Sequence, residues 1–585
     1  MRSFFKTFFA TLLALVIFTV IGIFILAAFI GSAASPDLPV VGSRAVLVIN
    51  LDHAFPEQSK DNPLNAYLNG TENTPPSLRA AIEHIYAARA DSAIKGIYLQ
   101  CSTNANGFAA SEELHQALLD FKRSGKFLLA YGETMTQKGY YLGSCADKVF
   151  CHPLGGVEWS GFSSGLLFLK GMLDKLEIQP QIFYAGKFKS ATEPLRAAEM
   201  TDANRLQTSV WLGDLYTHFL EAVGAARKID TAQLRELAVQ GKIQTAHDAL
   251  NSGLVDGLMY DDEIKSELRT RLHISERESI NFVTLSDYVK ARPGDENNAQ
   301  KRIAVLYADG DIVSGYGDDS QVGSDNFKNL IRKLRMDNDV EAIVFRVNSP
   351  GGSSLASDVI WRELALARKD KPVVVSMGDV AASGGYYISC MADSVFADAG
   401  TITGSIGVFS IVPNLQSFFK NKLGITFDRV KTAPYADMGG ADRPLTEPEK
   451  RFFQAGIDSV YLTFKTRVAD GRRRDITYID SIAQGRVWTG YRAIQVGLVD
   501  RIGTLRDAIL CAARMAKLDA YRIKEYPEKK SFIEQLLNNY QHSIREKLLA
   551  GELTPEQLSV AAEIRRVKQM VGQPQARMPF SFAVQ

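Results

Sequence analysis

The chain has 585 residues, too many for one hydrophobic core; two domains of ordinary size plus terminal extras fit that length. Its 67 basic and 66 acidic residues leave a net charge of +1 at pH 7, so no global basic field argues for a nucleic-acid partner. Five cysteines, an odd number with no CxxC, argue against a disulfide framework or a zinc site and favour free, buried thiols, with one bridge still open in an oxidising compartment.

Along the chain, residues 8–30 form an uncharged apolar run long enough to cross a bilayer as a helix. Arg2 and Lys6 precede it and only small or polar residues come after it, which sets the N-terminus in the cytoplasm and the bulk outside. The small residues at Gly31-Ser-Ala-Ala-Ser35 also suit a cleaved secretory signal, but the run exceeds a typical signal core, so a retained anchor is the expectation. Residues 36–43 form a linker. The Ala45–Asn50 strand then opens a domain over residues 45–288, in which strands at 96–100 and 127–131 alternate with amphipathic helices such as 111–121. That rhythm predicts an α/β domain with mostly parallel strands. His115 lies on one of these amphipathic stretches and is expected to be structural. The eight histidines form no metal-binding motif, and no cofactor or metal is expected. The Asn69-Gly-Thr71 sequon is too short a match to carry weight.

A polar, turn-rich linker occupies residues 289–300, and a second domain is expected over 301–533. It restarts with a strand at 302–307, then strands at 342–347 and 372–376 and helices near 357–367 and 448–469. Residues 534–585 form an extension with a charged helical pattern to Val571, then Pro574 and a Phe-containing tail. It is expected to cap the domain or join a subunit contact, with no enzymatic content.

The two domains are copies. Lys371-Pro-Val-Val-Val-Ser-Met-Gly378-Asp-Val-Ala-Ala-Ser383-Gly-Gly-Tyr-Tyr387 aligns without a gap on Lys126-Phe-Leu-Leu-Ala-Tyr-Gly132-Glu-Thr-Met-Thr-Gln137-Lys-Gly-Tyr-Tyr141, at a shift of about 246 residues. Gln137 stands where the second copy has Ser383. Lys189 of the first copy aligns with Tyr435 of the second. One copy offers a serine without a lysine, the other a lysine without a serine, and together they could assemble one Ser/Lys dyad.

A buried strand running into Ala-Ala-Ser383-Gly-Gly suits a nucleophile at a tight strand-to-helix turn. Small neighbours admit a substrate backbone, and the helix start offers unpaired N–H groups. Asn348-Ser-Pro-Gly-Gly352, after the 342–347 strand, is read as a turn able to aim an N–H at an oxyanion. The first copy has Cys101-Ser-Thr-Asn-Ala105-Asn106 there, without the double glycine. A lysine acts as a base only when its amine is neutral, which burial can achieve. Spacing alone leaves Lys187 and Lys189 both open for that role.

The motifs Asn-Ser-Pro-Gly-Gly at 348–352, Ala-Ala-Ser-Gly-Gly-Tyr-Tyr at 381–387, Thr-Gly-Ser-Ile-Gly-Val at 403–408 and Lys-Ser-Ala-x-Glu-Pro at 189–194 resemble the signal peptide peptidase A (protease IV) family in its long, duplicated form. The resemblance implies tandem crotonase/ClpP-like α/β domains behind an N-terminal transmembrane helix. It implies Ser383 as nucleophile, Lys189 rather than Lys187 as general base, Ser405 holding the lysine amine, and the N–H groups of Gly352 and Gly384 as the oxyanion hole. It further implies a membrane-bound homotetramer at the bacterial inner membrane, with its catalytic domains on the periplasmic side, that degrades signal peptides and other apolar peptides. Two rival readings are an acyl-CoA enzyme of the same fold, which would need a CoA-phosphate site, and a non-catalytic membrane scaffold.

Overall fold

A computed structural model of the chain describes residues 2–33, 39–59, 75–292, 299–528, 570 and 572–578. The near-continuous apolar runs predicted as strands are buried on both faces, as parallel strands between helices must be. In the first half they form a parallel six-stranded sheet among the described residues. Its order is Gly257–Leu258, Lys148–Val157, Phe127–Met135, Ile94–Gln100, Ala45–Asn50 and Phe282–Thr284. Helices such as Leu78–Ala90 and Phe108–Lys122 pack on it through their buried faces, the first capped by the Ser77 side chain. In the second half the strands Arg302–Asp309, Val340–Ser349 and Val373–Ala382 run parallel at the centre of an eight-stranded sheet. The α/β expectation holds for both copies.

A third, mixed sheet joins segments far apart in sequence, in the order Gln321–Gly323, Asp311–Val313, Gly351–Ser353, Gln575–Arg577, Val408–Asn414 and Gln179–Ala185. Gly351–Ser353 is thus a strand where the sequence suggested only a turn. Two glycines and a serine carry no strand signal, and pairing with neighbours on both sides sets their conformation. All five cysteines are buried and unbridged.

Residues Arg2–Ala33 form one helix. Its described side chains, Phe4 and residues 6–22, are exposed. Among the described residues no helix is long and apolar enough to cross a membrane. Residues 534–569, and 293–298 of the 289–300 linker, lie outside the described residues.

The halves meet through buried charge. Arg346, 1% exposed on Val340–Ser349, reaches Glu57 at 2.9 Å and Glu113 at 2.7 Å, both from the first half. Asp379 accepts from the Ala110 N–H at 3.1 Å, and Glu112 from the Gly400 N–H at 3.2 Å. Burial opposes the charge on Arg346, but Glu113 and Glu57 outweigh it and hold the guanidinium charged. Glu57, Glu112, Glu113, Asp379 and Asp398 outnumber Arg346 and Lys138, the cations that act on them. Burial first, then mutual repulsion, pushes Asp398 well above the usual carboxylate range and Glu112 up to about 8, despite the N–H donors on Glu112.

A carboxyl whose folded pKa is raised keeps a proton that the unfolded chain releases. Glu112 therefore weighs nothing against folding below its ordinary value of 4.5, and its cost grows as pH climbs to about 8. Glu112→Gln, which mimics the protonated form, is expected to gain stability relative to wild type as pH rises from about 5 to about 8. Denaturant midpoints across that range check this; a wild-type/variant difference that does not change with pH would sink it.

Candidate active site

The Gln179–Ala185 strand leaves its own half and pairs antiparallel with Val408–Asn414 of the other, from Ala185 opposite Val408 to Gln179 opposite Asn414. Beyond it the chain turns sharply at Gly186 (φ 109°), where a Cβ would lie 2.6 Å from the Gln484 carbonyl carbon. The Phe188 N–H donates to the Gln484 carbonyl at 2.7 Å. Gln207, on helix Asp202–Arg227, donates to the Phe188 carbonyl at 3.1 Å and to Ser190 Oγ at 3.0 Å, and accepts from the Val487 N–H at 3.2 Å. These bonds from two elements fix Lys189 at the start of the short Ser190–Thr192 turn.

The serine arrives from the opposite side. The buried strand Val373–Ala382 ends at Ser383, and helix Gly384–Ser389 starts at the next residue. Ser383 has φ 56° and ψ −112°, an uncommon conformation for a residue with a Cβ, and strain of this kind collects at functional turns. Its N–H donates to the Gly404 carbonyl at 2.8 Å.

Lys189 Nζ lies 2.9 Å from Ser383 Oγ and 3.1 Å from both the carbonyl oxygen and Oγ of Ser405. Ser383 and Ser405 are wholly buried and Lys189 is 1% exposed. Burial pushes the amine's pKa well below that of an ordinary lysine, because desolvation penalises the ammonium and no carboxylate compensates. A neutral amine fits the three contacts: its two N–H bonds donate to Ser405, and its lone pair accepts the Ser383 hydroxyl proton. Lys187 is exposed, its Nζ 5.9 Å from the centre of the Phe188 ring.

Gly352 and Gly384 flank the same place. A Cβ at Gly352 would lie 2.0 Å from the Ile312 carbonyl oxygen, so the strand tolerates no side chain there. A Cβ at Gly384 would lie 2.9 Å from the Ala576 carbonyl oxygen. The C-terminal extension thus reaches the neighbourhood of Ser383, packed on the second domain as a cap. Gln575–Arg577 pairs antiparallel with Gly351–Ser353, Ala576 opposite Gly352. The short polar and small stretch before Phe580 gave no periodicity from which this could be read.

The first copy has no such pair among its described residues. Gln137 donates through Nε2 to the Gly161 carbonyl at 2.9 Å and accepts from the Gly161 N–H at 3.0 Å. Where the second copy has its double glycine, Asn104 and Asn106 bond to each other and to nearby backbone. Tyr435, the counterpart of Lys189, is 54% exposed. Gln207 and Gly485, which brace the lysine, escaped the sequence reading.

Set against known proteins, this arrangement falls among the serine peptidases. Residues 120–275 and 365–519 match peptidase family S49, and the chain belongs to that family. It is 38% identical to Protease 4 of Salmonella typhi, over 81% of this chain and 77% of that protein. It is 34% identical to Protease 4 of Haemophilus influenzae, over 80% and 78%. The chloroplastic serine protease SPPA of Arabidopsis thaliana is 33% identical, over 76% and 66%.

Gly485 has φ 73°, and a Cβ there would lie 2.7 Å from Lys189 Cβ. Gly485→Ala is expected to cost about 1–2 kcal/mol of stability through backbone strain and to lower kcat by about 10–100-fold by displacing the amine. Peptidase kinetics beside an unfolding curve check this. Unchanged kcat in a folded variant would show that the loop does not position Lys189.

Proposed function

We propose that the chain is a membrane-anchored endopeptidase working through one Ser/Lys dyad split between its two copies. Residues 45–288 supply the lysine and 301–533 the serine. The observation that carries this reading is the 2.9 Å contact between a buried, uncompensated lysine and a buried serine from different halves. Lys189 takes the proton as Ser383 Oγ attacks a peptide carbonyl, and Ser405 orients the amine. The N–H groups of Gly352 and Gly384 stabilise the oxyanion, the protonated lysine donates to the leaving amine, and water releases the acyl group.

The uncharged apolar run at 8–30 of the sequence, with Arg2 and Lys6 before it, supports anchoring in the bacterial inner membrane, with the catalytic body on the periplasmic side. An anchored peptidase meets apolar peptides left in or near the bilayer, which makes cleaved signal peptides the proposed substrates. A homo-oligomer, proposed as a tetramer, completes the reading.

Cleavage of a synthetic signal peptide by the detergent-solubilised full chain tests it. Ser383→Ala and Lys189→Ala are each expected to lose at least about 10³-fold in kcat/KM with folding intact. Lys189→Arg is expected to be as inactive, since a guanidinium stays charged. Loss in Ser383→Ala alone would remove Lys189 as the base. Because the lysine must be neutral, wild-type kcat/KM is expected to fall as pH drops through its lowered pKa, and to hold at neutral pH where an ordinary lysine would be protonated. A profile rising only near the ordinary lysine value would contradict the burial argument.

A further inference from the structure

Helix Asp202–Arg227 of the first half turns one face to the second. Gln207, Trp211, Asp214 and Leu215 share that face by helical spacing. Gln207 grips the Lys189 turn and the Val487 N–H at once. Trp211 and Leu215 pack with Ala382, Ile402 and Val487. Two turns past Gln207, the Asp214 carboxylate accepts from Thr489 Oγ1 at 2.9 Å and from Arg492 Nε and Nη2 at 2.6 and 2.8 Å. A guanidinium fork of this kind fixes direction as well as distance. Gln207 and Asp214 therefore hold the two ends of the strand Val487–Thr489.

That strand frames the dyad. It pairs antiparallel with Ile402–Gly404, Thr489 opposite Ile402 and Val487 opposite Gly404. The Gly404 carbonyl accepts the Ser383 N–H at 2.8 Å, and the Arg486 carbonyl accepts the Ser405 N–H at 2.7 Å. Ser405 in turn holds the Lys189 amine. The contacts close a circuit: from Ser405 to the Arg486–Val487 backbone, to Gln207, to the Lys189 turn, and from Lys189 Nζ back to Ser405. One amide leaves the helix free to pivot against the strand. Asp214 supplies a second fixed point about 10 Å further along the helix axis.

The second copy offers a comparison. Its helix Glu447–Arg472 has the same 26 residues and the same threonine N-cap. Aligned start to start, Phe452 and Ser459 stand where Gln207 and Asp214 do, and both are exposed. The polar grip thus stands on the helix of the copy that gives the lysine. An ion pair that only joined the halves would serve anywhere along their interface, as Arg346 with Glu57 and Glu113 does. This one lies on the strand that holds Ser405.

We infer that Asp214 is a positioning residue for the dyad: by clasping Thr489 and Arg492 it keeps Val487–Thr489, and with it Ser405, where Lys189 stays dry and meets Ser383. The inference rests on the proposed Ser383/Lys189 dyad. Signal-peptide cleavage by the full chain in detergent, followed across pH beside an unfolding curve, tests it. Asp214→Ala is expected to lower kcat by about 10- to 100-fold with KM changed by less than about twofold. Its acid limb of kcat/KM is expected to move to higher pH, because water reaching the amine lifts its pKa toward the ordinary lysine value. Arg492→Lys, which keeps the charge and loses the fork, is expected to move both readouts the same way by less, and decides the matter if Asp214→Ala does not fold. Adding Arg492→Ala to Asp214→Ala is expected to slow the chain by no more than about twofold further, as for two groups acting through one contact. Folded variants with wild-type kcat, or with a lower kcat and an unmoved acid limb, overturn the positioning role and leave the dyad standing. A wild type that cleaves nothing, or a Lys189→Ala chain as active as wild type, overturns the dyad and this inference with it.

Discussion

The site depends on one exchange of backbone pairing: Gln179–Ala185, from the first copy, completes a sheet of the second by pairing along its full length with Val408–Asn414. Backbone hydrogen bonds are indifferent to which copy supplies the strand, but they fix its register, and the register decides where Lys189, four residues past the strand's end, can come to rest. Phe183 on this strand joins the second half's core. Lys189 can then lie under Gly485 and against Ser405 without water. An ammonium there would forfeit its hydration for no anion in return, a penalty of several kcal/mol. Burial thus favours the neutral amine, which lies 2.9 Å from the Ser383 hydroxyl oxygen.

Duplication made this division possible and also demanded repair. A copy that loses its serine and its double glycine leaves buried backbone groups without partners, which is costly in a dry interior. Gln137 answers with two hydrogen bonds to Gly161, and the Asn104–Asn106 pair fills the place of the glycine strand. The first copy thus has satisfied polar groups where the second has its serine and double glycine. It also carries Lys189 and a buried charged face: Glu57 and Glu113 clasp Arg346, tying the half that holds the lysine to a strand neighbouring the one that ends at Ser383.

Much of this was legible in the chain. The parallel strands of both halves arise from apolar runs such as Ala45–Asn50 and Val373–Val375, because burial on both faces leaves a one-dimensional signature. The complementary Ser383/Gln137 and Lys189/Tyr435 positions were visible because duplication supplies an internal alignment. The bracing of Lys189 was not: Gln207 is a polar residue on a long helix and Gly485 one glycine among 45, and what distinguishes them is contact with segments hundreds of residues away. Spacing could not separate Lys187 from Lys189 for the same reason. Their difference is burial, which tertiary packing decides. The strand Gly351–Ser353 carries no propensity for its conformation, and neighbours impose it.

That strand also shows how a segment with no strand signal becomes one. A Cβ at Gly352 would lie 2.0 Å from the Ile312 carbonyl oxygen, so the neighbouring strand approaches its backbone as closely as only glycine allows. Asp311–Val313 pairs on one side and Gln575–Arg577 on the other, and the second comes from far along the chain. Arg577 donates to both carboxylate oxygens of Asp311 across the intervening strand, and Met578 packs among Trp211 and Leu215 of the first half and Ala382, Ile402 and Val487 of the second. The 575–578 segment is therefore held by both halves, and its pairing fixes beside Ser383 a glycine strand that local propensity would leave as a turn.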